Sequence, residues 1–251
     1  MPATIGRTMS LSIVIPLCDE AENVEALCQE LDRCLTGQVA HELVFVDDGS
    51  SDGTYEALGR MRARVPGMRV LRHACNAGQS AALLTGAQAA RGEWIATLDG
   101  DGQNDPADVL KLWRLAAADS QPAGLYIGHR VARHDNWVRI LSSRIANGVR
   151  SRLLGDQVPD TGCGIKLFRR CLFLALPYFD HMHRFLPALV QREGVRVVSV
   201  PVGHRHRMAG RSKYGIGNRL WAGIVDMAGV IWLKRRRRRP GLTWEAGGDA
   251  R

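Results

Sequence analysis

The feature that most constrains this chain is an alternation of two apolar patterns. Short runs of strand length are each followed by a longer stretch with helical spacing. SIVIPL (12–17), LVFVD (43–47), MRVLRH (68–73), WIATLD (94–99) and LYIG (125–128) read as strands. Between the first two, Val24, Leu27, Leu31 and Leu35 recur three or four residues apart over 20–35, as on one helix face. Further helices are predicted at roughly 54–64, at Gly78–Arg91, and from Pro106 to Ala118, where proline suits a first helical turn. This βαβα order specifies an α/β fold, a mostly parallel sheet with helices on both faces.

In such sheets ligands bind beyond the carboxyl ends of the strands. Three of those ends carry clustered acids: PLCDE (16–20), DDGSSDGT (47–54) and LDGDGQNDP (98–106). Like charges crowded together raise one another's pKa and cost stability unless something neutralises them. A solvated acidic turn would suffice for any one loop, and a lone D-x-D is weak. Asp105, just before Pro106, is predicted to cap the next helix, as Ser51 or Asp52 could for the helix after the second strand. The third loop is not an EF-hand, which needs Gly and Glu where Asn104 and Leu110 stand. No G-x-x-x-x-G-K-[ST] phosphate loop occurs. What remains is D-x-D at a strand end, with Gly100 and Gly102 allowing close backbone approach. Hard oxygen ligands of this kind suit Mg²⁺ or Mn²⁺, whose shells are usually completed by substrate phosphates. Paired acids at a strand end, Asp47 and Asp48, suit the hydroxyls or base of a nucleotide.

Composition removes several classes. At 45% hydrophobic and 24% charged residues the chain reads as a folded globular protein. The six cysteines form no C-x-x-C pair, which argues against zinc and for free thiols in a reducing compartment. No secretory leader is expected, since the first apolar run meets Asp19 and Glu20 at once. No run of about 18 apolar residues is present to span a bilayer. Charge is uneven: Arg192–Arg239 holds thirteen Lys/Arg against Glu193 and Asp226, within a net charge of +9. A basic end of this kind points to an anionic partner.

Read together and in order, PLCDEAENV, VDDGSSDGT and LDGDGQNDP resemble the inverting GT-A glycosyltransferases of family 2. The likeness is to the branch of dolichyl- and polyprenyl-phosphate sugar synthases. It continues in IGHRVARHDNWVRILSSRIAN (127–147), in PDTGCGIKLFRR (159–170), which looks like a D-x-x-x-G-[FI]-[KR] segment, and in HRHRMAGRSKY (204–214), which looks like H-x-x-R-x-x-G-x-S-K-Y. It covers roughly residues 10–235. It implies a Rossmann-like GT-A domain over 1–215 that moves a sugar from a UDP- or GDP-sugar to a polyprenyl phosphate. By that resemblance Pro16, Leu17, Glu20, Asp47, Asp48, Asp99, Gly100 and Asp101 lie on the donor side. Asp101 and Gln103, with Asp99 beside them, take the Mg²⁺ or Mn²⁺ that bridges the diphosphate. Arg130, Arg139 and Ser143 hold the acceptor phosphate, and Arg207, Ser212 and Lys213 close over it or the diphosphate; Asp101, Arg130, Arg139 and Arg207 carry the chemistry. Two positions depart from the pattern: Asp19 stands where asparagine is common, and Leu17 where an aromatic is frequent. Both bear on donor identity.

A phosphate acceptor is already ionised near pH 7, so transfer to it needs little general base. A hydroxyl acceptor would want a carboxylate, for which Asp160 is the candidate; a third reading is a non-catalytic nucleotide-sugar binder. Residues 216–239 end in LWAGIVDMAGVIWLKRRRRR (220–239), with Trp221 and Trp232 near the ends of the apolar stretch. They read as a C-terminal amphipathic helix lying on an anionic, cytoplasmic membrane surface. The aromatic pattern of an RNA-binding module is missing, so nucleic acid is not an expected partner. Residues 240–251 read as a disordered tail.

Overall fold

A computed structural model describes residues 10–131, 148, 150–156, 158–205 and 217–236. The elements run β1 (Leu11–Leu17), α1 (Ala21–Leu35), β2 (His41–Asp47), α2 (Thr54–Arg62), β3 (Met68–Arg72), α3 (Gln79–Ala89), β4 (Trp94–Thr97), α4 (Pro106–Ala118) and β5 (Leu125–Arg130). Then follow β6 (Lys166–Arg169), α5 (Arg170–Ala175), a 3₁₀ turn (Met182–Arg184), α6 (Leu186–Arg192), β7 (Val197–Val202) and α7 (Gly217–Arg236). The seven strands form one sheet in the order β3-β2-β1-β4-β6-β5-β7. Only β6 runs against its neighbours, antiparallel to both β4 and β5. The expected α/β architecture, mostly parallel with helices on both faces, is the one observed.

Side-chain alternation along the strands divides the core between the two faces. Leu11, Ile13, Ile15 and Leu17 of β1 and Leu43 and Phe45 of β2 join α1, α2 and α4 in one cluster. Val14, Val44, Val46 and Ile95 face the other way, onto α3, α5, α6 and α7. Helix α3 lies close on the sheet: a β-carbon at Gly86 would come within 2.3 Å of Val14 Cγ1. The Asp105 carboxylate accepts from the Ala107 N–H at 2.9 Å, and Pro106 opens α4, so this cap is as read from sequence.

Two strands escape the sequence reading, β6 and β7. β6 is four residues long and flanked by charge, and β7 contains Pro201. Their insertion has a large consequence, because β6 pairs Lys166 opposite Thr97 of β4. That places Lys166 two residues from Asp99, although 67 positions separate the two along the chain. The strand β5 also runs two residues further than LYIG, so that Arg130 ends it at the carboxyl edge.

Helix α7 exists where a C-terminal helix was predicted. Val230 is fully buried, and Met227, Ile231 and Leu233 pack against the second cluster. Arg192 Nε donates to the Leu233 carbonyl at 3.0 Å, and Lys234 to that of Leu154. Ile224, Val225 and Trp232 are left exposed on this helix, followed by Arg235 and Arg236. Among the described residues no helix is long and apolar enough to cross a membrane.

Candidate active site

The sheet order changes direction at β1, which has β2 on one side and β4 on the other, and a ligand crevice is expected at that point. The three acidic loops meet there. Asp19 N–H donates to Ser50 Oγ at 2.8 Å, and Ser51 N–H donates to Asp19 Oδ1 at 2.6 Å. Asp52 accepts from the N–H groups of Ala21 and Thr54, so one carboxylate serves the starts of both α1 and α2. The third loop closes on the first at Gly100. A β-carbon there would lie 2.0 Å from Leu17 Cδ2 and 3.2 Å from the Pro16 carbonyl oxygen, so only glycine fits. Glu20 accepts from Asn23 Nδ2 at 2.6 Å.

Asp47 and Asp48 have different surroundings. Asp47 Oδ1 accepts from Ser50 N–H at 3.1 Å, and its Oδ2 is 3.2 Å from Arg72 Nε. Asp48 accepts from His73 Nδ1 at 2.7 Å and from the N–H groups of Ala77 and Gly78 at 2.9 and 2.8 Å. Its carboxylate therefore fixes the loop that leads into α3, a role the sequence did not reveal. Leu17 is in the core, and presses on Gly100 through its side chain.

Asp99 lies at the centre. Its Oδ1 accepts from Gln79 Nε2, at the start of α3, at 2.9 Å. Space for it exists because residue 164 is glycine; a β-carbon there would fall 2.2 Å from Asp99 Oδ2. Burial and then the charge of Asp101 push the Asp99 carboxyl up, against the pull of Lys166 and Arg130. Lys166 is buried too, and donates to the Cys163 carbonyl. Burial pushes its ammonium down, while Cys163, Asp99 and Asp160 pull it up. Asp101 is half-buried and accepts from the Gln103 N–H at 3.1 Å. Gln103 also joins the end of β7: its carbonyl accepts from Arg205 N–H at 2.9 Å. Arg205 in turn pairs with Asp105 and Glu30.

On the far side, Arg130 and Asp160 form a two-pronged ion pair, Nε to Oδ2 at 2.7 Å and Nη2 to Oδ1 at 3.0 Å. Beside Gly162, which this pair flanks, is a pocket of about 420 Å³, large enough for a sugar. Gly162, Gly164, Lys166, Asp99 and Gln79 line one part, and Asp180, His181, His183 and Arg184 another. Helix α7 reaches this wall, because Asp226 Oδ2 is 3.1 Å from His181 Nδ1. Sequence reasoning missed Gln79, Lys166 as a site residue, and the 180–184 wall. A lysine inside the apolar run GIKLF was the one available signal, since a lysine is rarely fully buried without a partner. Of the predicted residues, Pro16, Leu17, Glu20, Asp47, Asp48, Asp99, Gly100, Asp101, Gln103 and Arg130 come together at this edge. Arg139, Ser143, Arg207, Ser212 and Lys213 lie outside the described residues.

An α/β fold with acids gathered at the switch point and a pocket beside them defines a doubly wound protein whose ligand site lies beyond the strand ends. The family model for glycosyl transferase family 2 matches residues 12–175, and the chain belongs to that family. It is 34% identical over 242 residues to the dodecaprenyl-phosphate galacturonate synthase of Rhizobium johnstonii, covering 94% of this chain and 70% of that protein. It is 34% identical over 209 residues to the undecaprenyl-phosphate 4-deoxy-4-formamido-L-arabinose transferase of Edwardsiella ictaluri, covering 82% of this chain and 63% of that protein. The chain thus spans less than two thirds of that transferase's length. Among solved structures it is similar to the glucosyl-3-phosphoglycerate synthase of Mycobacterium tuberculosis, in a complex with Mn²⁺, UDP and glucosyl-3-phosphoglycerate. That likeness has a TM-score of 0.69 at 18% identity, over 90% of this chain and 80% of that one, and it shows the shared GT-A-like fold.

His183 supplies a test of this packing. It is buried, with Nδ1 2.8 Å from Ser80 Oγ, and burial, then the charges of Lys166, Arg184 and His181, hold its pKa well below 6.5. Below pH 6.5 the unfolded chain takes up a proton that the folded chain refuses, so stability is lost as pH falls through that window. The slope from this one group reaches at most about 1.4 kcal/mol per pH unit. In urea titrations between pH 7 and pH 5, His183→Gln is expected to flatten the loss seen in wild type. An unchanged slope contradicts the assignment.

Proposed function

We propose that this chain transfers a sugar from a nucleoside diphosphate to the phosphate of a polyprenyl phosphate, with inversion at the anomeric carbon. The observation that carries this reading is a pocket at the strand ends lined by Asp99, Gln79 and Lys166, with the Arg130 guanidinium beside Gly162 at its edge. The transferred bond is simple to balance. An acceptor phosphate oxygen forms a bond to the anomeric carbon, the bond from that carbon to the diphosphate oxygen breaks, and the nucleoside diphosphate leaves with the electron pair.

The residues fit a divalent cation. Burial and then the Asp101 charge push the Asp99 carboxyl up, so a cation beside the two acids would favour its charged form. The oxygen donors of Asp101 and Gln103 suit an ion which completes its shell with substrate oxygens. Asp101 and Gln103, with Asp99 beside them, would hold Mg²⁺ or Mn²⁺. When bound, the ion supplies positive charge that stabilises the departing diphosphate.

The chain's own groups do the rest by position. The loop after β1 and the loop after β2 form the nucleoside side, through Pro16, Leu17, Glu20, Asp47 and Asp48. The Arg130 fork, held at both nitrogens by Asp160, is oriented before the acceptor arrives and presents charge at the Gly162 edge of the pocket. Arginine grips phosphate well for this reason. Holding nucleophile and electrophile in line supplies much of the rate when no proton has to move. Asp160 is engaged by Arg130, which favours a phosphate acceptor over a hydroxyl that needs a base. The residues assigned to the acceptor by family likeness, Arg139, Ser143, Arg207, Ser212 and Lys213, belong to the same reading.

Helix α7 gives the reading its membrane side. Ile224, Val225 and Trp232, exposed ahead of Arg235 and Arg236, suit an anionic lipid surface, with the tryptophan at the interface. On this reading the chain sits peripherally on the cytoplasmic leaflet, where it meets a lipid phosphate. Residues 1–215 then form the catalytic part and 216–239 the lipid-facing segment.

Two experiments follow. Asp101→Ala is expected to lower transfer of radiolabelled sugar to polyprenyl phosphate at least a hundredfold in Mg²⁺ or Mn²⁺, at unchanged thermal stability; full activity contradicts the reading. For the membrane, truncating α7 would remove the buried Val230, so point changes are preferable. Val225→Asp with Trp232→Asp is expected to release the protein from anionic vesicles in low-salt sedimentation. Undiminished vesicle binding contradicts the lipid-facing assignment.

A further inference from the structure

The turn between β3 and α3 is fastened to the end of β2. Both carboxylate oxygens of Asp48 accept from it, Oδ1 from the Ala77 N–H at 2.9 Å and Oδ2 from the Gly78 N–H at 2.8 Å. Asn76 Nδ2 donates to the Asp48 carbonyl oxygen at 3.2 Å. Gly78 has φ 90, which glycine adopts at little cost, and a β-carbon there would come within 3.3 Å of Asp180 Oδ1. Beyond Gln79 the chain is held again. Ser80 is buried, its Oγ lies 2.8 Å from His183 Nδ1, and that Oγ accepts from the His183 N–H at 3.3 Å. Gln79 therefore stands between two anchored residues, and its side chain starts from a fixed point.

From that point it reaches the end of β4. Gln79 Nε2 donates to Asp99 Oδ1 at 2.9 Å. The amide nitrogen has to face the carboxylate, because the amide oxygen and the carboxylate are both acceptors. Asp99 Oδ2 is the oxygen against Gly164, where a β-carbon would fall 2.2 Å away. One oxygen is thus gripped from α3 and the other is confined by the loop before β6. A glutamine orients the carboxylate and adds no charge of its own. Carboxylates that hold a metal ion are themselves commonly held by a hydrogen bond from behind, which sets their direction.

We infer that Gln79 is a positioning residue for the divalent cation. It sets the direction of the Asp99 carboxylate and, through the turn fastened to Asp48, ties that carboxylate to the nucleoside side of the site. The inference rests on the reading of Asp99 and Asp101 as neighbours of a cation, and its test needs neither a sugar nor an acceptor.

The experiment is calorimetric titration of Mn²⁺ into the full chain saturated with UDP, and in parallel with GDP. With the nucleotide that binds wild type more tightly, Gln79→Leu is expected to weaken Mn²⁺ binding about tenfold or more, the usual cost of losing such a hydrogen bond. Binding of the nucleotide in EDTA is expected to stay within about twofold of wild type, because Asp48 holds the turn through backbone N–H groups that the substitution leaves in place. Gln79→Asn keeps the amide but is one methylene too short for Asp99. It should show the same loss, and it decides the question where the leucine variant does not fold. Two results overturn the inference: Mn²⁺ affinity at the wild-type level in these variants, or an equal loss of nucleotide binding in EDTA, which would make Gln79 a support of the turn only. The two readings fail distinguishably. No Mn²⁺ binding to wild type with either nucleotide overturns the cation reading and this inference together. Mn²⁺ binding that position 79 does not alter overturns the Gln79 assignment alone.

Discussion

The buried carboxylate of Asp99 is the constraint on which the rest of the site depends. It sits at the end of β4, next to the point where the sheet reverses, and burial raises the energy of its charge. Much of its surroundings can be read as a response to that cost. Gln79 from α3 donates to it, Lys166 from β6 sets a cation near it, and Gly164 leaves it room. The remaining imbalance, with Asp101 close by, is what a bound cation and diphosphate would relieve. A site poised in this way sacrifices some stability of the empty protein for binding, as functional sites often do.

The antiparallel strand β6 serves the same carboxylate. A strand entering between β4 and β5 in that sense sets Lys166 against Thr97 and brings Gly162 and Gly164 to the carboxyl edge. The loop before it carries Asp160 to Arg130 at the end of β5. One inserted strand therefore sets Lys166 on the wall of a pocket that also holds Asp99 and Gln79. Helix α7 joins the same wall through Asp226 and His181, so the segment read as lipid-facing is in contact with the pocket.

Much of this was legible in the sequence, and the limits have physical causes. Five strands, four helices and the convergence of three acidic loops follow from apolar period and from where α/β sheets place their loops. Those are local patterns. The Asp105 cap is another, since it involves residues two apart. The 160–184 half of the pocket was not legible because it depends on pairing across long sequence separations. KLFR gives no period, and nothing near His181 or Arg184 signals that they will face Asp99. Asp48 shows the opposite limit: it was visible as an acid at a strand end, but its three bonds to His73, Ala77 and Gly78 arise only once β3 and α3 have packed.

The central claim is that an oxygen of a lipid phosphate, and not a hydroxyl, attacks the sugar. The most direct measurement is the chemistry of the product formed from a labelled nucleotide sugar and polyprenyl phosphate. The account predicts a lipid-soluble sugar phosphodiester that releases free sugar in mild acid and has an anomeric configuration opposite to that of the donor. A labelled product that survives mild acid, or one that retains the donor's configuration, would contradict it.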